Sequence, residues 1–185
     1  LDLILRFARP SLPGPLAQSS RASKQIPVRE AYDREFERYL VRLHLEQRPD
    51  LAARFLDSAA AEKLPVEARV LAALALEPKA SASRVAKLLP QLDRAANEEE
   101  LLRLAQFPGE PGCGDALKAL LSNPKSRAAV AGKLLAQKTK LDPAKIAPLL
   151  NDAARSLLGG NEEEQALGVG LIGGMHQTLP MNIYR

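Results

Sequence analysis

Side chains able to act as nucleophiles, metal ligands or acid–base groups are sparse in this sequence. Cys113 is the one cysteine among 185 residues, and the two histidines, His44 and His176, lie far apart in the chain. A single cysteine excludes an intrachain disulfide framework and a multi-cysteine metal site. Cys113 sits in the turn Phe107-Pro-Gly-Glu-Pro-Gly-Cys-Gly with no histidine nearby in sequence, so it is read as an inert thiol, buried or incidentally exposed. His44 falls among charged neighbours on a helix and His176 in the C-terminal tail, and both are expected to be solvated. Asp142 precedes Pro143, which is the pattern of an N-cap followed by a first-turn proline, not of a catalytic carboxylate. Glu98–Glu100 and Glu162–Glu164 are consecutive acids. Carboxylates spaced that way do not face one another across a cleft as a general acid and base do. No catalytic residue, metal ligand or cofactor site is expected, and the chain reads as more consistent with a non-enzyme than an enzyme.

Gly168-Val-Gly170-Leu-Ile-Gly173 spells the glycine pattern of a nucleotide phosphate loop. That chemistry needs a strand before the glycines, a tight turn over the phosphate and a helix start after it. Here the preceding residues, Asn161-Glu-Glu-Glu-Gln-Ala-Leu, read as a helix start. The expectation is a helix whose glycines allow close packing and which frays at Gly173-Gly174.

Charge is more informative when divided along the chain. The formal net charge is +4. Between residues 118 and 145, however, Lys118, Lys125, Arg127, Lys133, Lys138, Lys140 and Lys145 face only one acid, Asp142. Cations at that density could neutralise several phosphates if they converge on one surface. No aromatic residue lies among them to stack on bases, so base readout is disfavoured. An ordinary charged surface, or one that meets an acidic protein, is the competing expectation.

The elements that must position these residues are helices. Trp is absent, Phe and Tyr number four and three, and the apolar content is dominated by Leu and Ala, which favour helices over strands. Tyr32, Phe36, Tyr39, Leu40 and Leu43 recur at steps of three and four. This spacing predicts an amphipathic helix over 28–47 that caps the end of the core or covers its flank. Further helices are expected from about 50 and 65, and over 82–93, 97–106, 114–122, 124–137, 143–158 and 161–172. Helices this short are marginal alone and must pack on neighbours. Residues 1–27 read as an N-terminal segment and a Pro/Ser-rich linker, 28–174 as the helical domain and 175–185 as an irregular tail. No stretch has the roughly 18 uncharged apolar residues of a membrane-spanning helix, and a cytoplasmic location is expected. The chain opens on Leu1 instead of Met, and the reading allows for a helical part of a longer protein.

An internal repeat organises the helices. Pro65, Val70, Leu74 and Val85 correspond in order to Pro124, Val130, Leu134 and Ile146, and Asn97-Glu-Glu-Glu to Asn161-Glu-Glu-Glu. Each copy ends in an asparagine cap and an acidic first turn, which suit the positive end of a helix. With prolines opening helices and stripes such as Val70-Leu71-Leu74 and Val130-Leu134-Leu135, residues 50–172 resemble the HEAT-like or ARM-like class of α-helical repeat proteins. The resemblance implies an all-α fold, a right-handed array of short antiparallel helix pairs (an α-solenoid), whose curved surface binds another protein. Some such arrays bind the DNA backbone and excise damaged bases. The expected function is therefore a non-catalytic scaffold or protein–protein interaction module. The alternative is a nucleic-acid-binding module that contacts phosphates through residues 118–145, with repair-type chemistry ranked below it.

Overall fold

The computed structural model describes residues 1–12, 15–18 and 25–176. It is all-α apart from one short ribbon, and it divides into two compact units, Leu1–Glu77 and Pro78–Arg185.

In the first unit, α1 (Asp2–Leu5) leads to a ribbon of β1 (Leu16–Gln18) and β2 (Gln25–Pro27). The two strands are antiparallel, with Leu16 opposite Pro27. The chain then enters α2 (Glu30–Glu46) through Arg29, whose φ of 55° lies in a region disfavoured for residues that carry a side chain. Next come α3 (Pro49–Leu56), α4 (Ala59–Glu62) and α5 (Val66–Leu74). The core joins Val41 and Leu45 of α2 to Ala52 of α3 and Ala68, Leu71 and Ala72 of α5. Alanines at these contacts let the helix axes approach closely. The N-terminal segment contributes to this core through Leu5 and Ala8.

The aromatic stripe of α2 is not what faces that core. Tyr32, Phe36, Tyr39, Leu40 and Leu43 are all exposed, Tyr39 most of all at 58 %. The helix is turned so that Ala31, Val41 and Leu45 point inward. Arg34 and Arg38 donate to the carbonyl oxygens of Pro10 (3.1 Å) and Arg9 (2.6 Å), and Arg9 pairs with Glu37 at 2.7 Å. The N-terminal segment is thus clasped along the arginine side of α2, a long-range contact that periodicity within one helix does not reveal.

The second unit holds α6 (Pro78–Leu88), α7 (Glu98–Gln106), α8 (Cys113–Ser122), α9 (Arg127–Ala136), α10 (Pro143–Leu158) and α11 (Glu162–His176). Helix α6 starts and stops about four residues before its expected span. Pro78 is favoured in a first turn, and Pro90, lacking an N–H, falls in a 3-10 turn over Leu89–Gln91. Consecutive helices pack together as α6 with α7, α8 with α9, and α10 with α11. In addition α6, α8 and α10 touch in succession, as do α7, α9 and α11. Val85 in α6 and its repeat counterpart Ile146 in α10 are both buried, as are Val70 and Val130.

The glycine motif lies within α11 and packs as expected. A Cβ on Gly168 would sit 3.0 Å from the Ala154 carbonyl oxygen and 3.2 Å from Leu158 Cγ, so this is a point of close approach between α10 and α11. Gly170 and Gly174 approach the Leu135 side chain of α9 in the same way. This packing carries the helix through Gly173 and Gly174 to His176, where fraying was expected. Residues 175 and 176, the start of the tail expected over 175–185, are therefore helical, and 177–185 lie outside the described residues.

These glycines should therefore respond in opposite directions. Alanine in a helix interior normally gains up to about 1 kcal/mol over glycine. Gly173→Ala, with nothing within 4 Å of the new methyl, should raise the unfolding midpoint in urea. Gly168→Ala should lower it, because overpacking costs about 1–3 kcal/mol of stability.

Candidate functional site

The feature of the first unit most suited to recognition is the outer face of α2. Tyr32, Phe36, Tyr39 and Leu43 follow one another at steps of four, three and four, so one side of the helix carries an unbroken apolar seam. Neighbouring rings stack: Tyr32 and Phe36 have centroids 6.5 Å apart, and Phe36 and Tyr39 6.4 Å apart. Beside the seam, Leu40 faces Leu3, Ile4 and Phe7 across a groove of about 440 Å³ that Glu37 and His44 also line. Leu3 and Phe7 are themselves exposed, at 71 % and 51 %. Contiguous apolar surface of this kind is unusual in a monomer and marks sites of association. Tyrosine and phenylalanine bring large, stiff area with little rotamer entropy to lose.

The sequence signal for this face was present but pointed the other way. Arg34, Arg38 and Arg42 recur every four residues on the opposite side, among Ala31, Val41 and Leu45. The helix therefore has two candidate inner faces, and only the tertiary partners of the arginines decide between them. The contribution of Leu3 and Phe7 left no periodic signal, because α1 is a single turn and Phe7 lies beyond its end.

The seven cations of residues 118–145 are dispersed. Arg127 pairs with Glu164 at 3.1 Å and so ties α9 to α11, and Lys133 donates to the Ala96 carbonyl at 2.8 Å, which ties α9 to the loop before α7. Lys145 pairs with Asp142 at 3.3 Å. Lys118 lies on α8 in a hollow shared with Asp152 of α10, while Lys138 borders an apolar cleft lined by Leu134, Leu171 and Gly174. Lys125, at the start of α9, and Lys138 and Lys140, beyond its end, are exposed. They are separated by the length of that helix, roughly 15 Å.

The acidic turns have structural roles. Asn97 accepts from the Glu100 N–H at 2.9 Å, and the Glu100 carboxylate accepts from the Asn97 N–H at 2.8 Å. Asn161 and Glu164 repeat the arrangement at 3.0 and 3.2 Å. Both are capping boxes, and an arginine grips each third glutamate. Arg94 is bidentate on the fully buried Glu100 at 2.6 and 3.0 Å, and Arg127 binds Glu164. The Arg127 hydrogen bond, followed by the Asn161 N–H, holds the Glu164 carboxyl below the usual carboxylate range. Asp142 caps α10 by accepting from the Ala144 N–H at 3.1 Å, as expected.

Cys113 begins α8 and is fully buried. Burial first, and Glu110 second, push its thiol up to about 11. His44 contacts Arg48 at 3.0 Å, and the His176 side chain lies outside the described residues. Among the described residues, no three His, Cys, Asp or Glu side chains gather as metal ligands do. No helix among them is long and apolar enough to cross a membrane.

Compared with protein families, curated proteins and solved structures, the chain matches none.

Two measurements check this chemistry. A carboxylate held low when folded contributes stability above its ordinary value, and that stability is lost as pH falls through the lowered one. The stability advantage of the wild type over Glu164→Gln should thus be constant near neutrality and shrink below about pH 4.5. At pH 8 the Cys113 thiol should resist a disulfide reagent in the folded protein and react fully once urea unfolds it.

Proposed function

We propose that this chain is a non-catalytic helical scaffold that binds another protein through the outer face of α2. The observation that carries the reading is the exposure of the stacked ring series Tyr32, Phe36 and Tyr39 on a helix whose opposite face already packs into a core through Val41 and Leu45. Aromatic side chains clustered in this way are the usual anchors of protein interfaces. In the second unit, each helix touches the next and the next but one. That pattern supports a short right-handed HEAT-like α-solenoid, in which successive helix pairs stack on their neighbours. The alternative reading, contact with a phosphate backbone, draws on the exposed Lys125, Lys138 and Lys140 at the two ends of α9. It calls for salt-dependent duplex binding that is weakened by substituting those lysines.

A photo-crosslinking side chain in place of Tyr39, with Arg155 on the exposed side of α10 as the control position, tests the reading in the native cell. The expected result is a discrete adduct at position 39 that protease destroys, nuclease leaves intact and position 155 does not form. Equal labelling at both positions, or an adduct removed by nuclease, would contradict it.

A further inference from the structure

We infer that the occupant of the α2 face is a second copy of this chain, with its own α2 lying antiparallel across the first. The inference rests on the reading of this face as a docking surface and identifies what docks there.

Steps of four, three and four are the spacing of a coiled-coil seam. Tyr32 and Tyr39 take d positions and Phe36 and Leu43 take a positions. In an antiparallel pair this short seam is its own complement. Phe36 meets Tyr39 of the partner subunit and Tyr32 meets Leu43 of the partner subunit, about a two-fold axis that passes between positions 37 and 38. Rings meet in the two central layers and the smaller Leu43 meets a ring in each outer one, with the tyrosine hydroxyls at the wet edge.

The helix dipoles select the direction: an antiparallel partner opposes them favourably, whereas a parallel partner aligns them.

The available area is sufficient. With about half of each seam side chain exposed, and Leu40, Leu3 and Phe7 extending the patch, each copy offers roughly 600 Å² of apolar surface. Covered in full, two such patches bury about 1,200 Å², the lower limit of a specific interface. An interface at that limit gives a concentration-dependent dimer, not an obligate one.

Sedimentation of the full chain from low to high micromolar concentration tests this. The expected result is a transition from 20.0 kDa to twice that mass. The double variant Phe36→Ser, Tyr39→Ser should weaken dimerisation by about 100-fold with an unchanged helical circular dichroism spectrum. Spin labels on Gln47→Cys should report a separation of roughly 30 Å, against about 10 Å for a parallel pair. The buried Cys113 does not take up the label. A chain that stays monomeric, a dimer indifferent to the double variant, or the short label distance would each overturn the inference. If the chain is monomeric while the position-39 crosslinker captures a different protein, the second copy is ruled out but the docking face stands. If it is monomeric and position 39 captures no protein, both fall.

Discussion

The rotation of α2 about its own axis decides which side chains of the first unit are buried and which face water. Two arginines on that helix donate to the carbonyls of Arg9 and Pro10, and this holds the N-terminal segment along their side of the helix. Each such bond, at a partly exposed site, is worth on the order of 1 kcal/mol. Against that, each seam residue leaves about 100 Å² of apolar area in water, or roughly 2.5 kcal/mol at 25 cal/mol per Å². The clasp alone does not outweigh that difference. The balance is completed by Val41 and Leu45, which are 4 % and 0 % exposed and join α2 to α3, α5 and the N-terminal segment. A fold that keeps its rings outside at this cost has surface energy that a partner can recover.

The second unit is held by a different device, used twice. Asparagine, two acids and a buried or half-covered glutamate form a capping box at the start of α7 and again at α11, and an arginine closes each one. At α7 the arginine, Arg94, comes from the chain immediately before the box; at α11 it is Arg127, from α9. In the second case the cap also acts as a tertiary tie. Gly160 belongs to the same arrangement, since a Cβ there would collide with the Glu164 side chain. Two members of the basic stretch, Arg127 and Lys133, are explained by such ties. Their charge reflects helix packing as much as any surface property.

Much of this was legible in the residues. Leucine and alanine content, proline positions and asparagine caps marked most of the helices, and the repeated Asn-Glu-Glu-Glu located two of their starts. The glycine pattern in α11 was readable as packing because no strand precedes it. The orientation of α2 was not legible, because the helix has two faces with helical spacing and the deciding contacts come from residues almost thirty positions away. Likewise Arg127 read as one of seven equivalent cations, since nothing local connects it to Glu164. Local signals place helix ends, whereas rotation and ion-pair choice are tertiary properties.

Solvent access along α2 distinguishes its two faces. In dilute protein carrying labelled aromatic and methyl groups, a soluble paramagnetic agent should broaden the signals of Tyr32, Phe36, Tyr39 and Leu43 and spare those of Val41 and Leu45. The reverse pattern, with the rings protected and Val41 and Leu45 broadened, would mean that α2 presents its other face and that its ring series is not the exposed one.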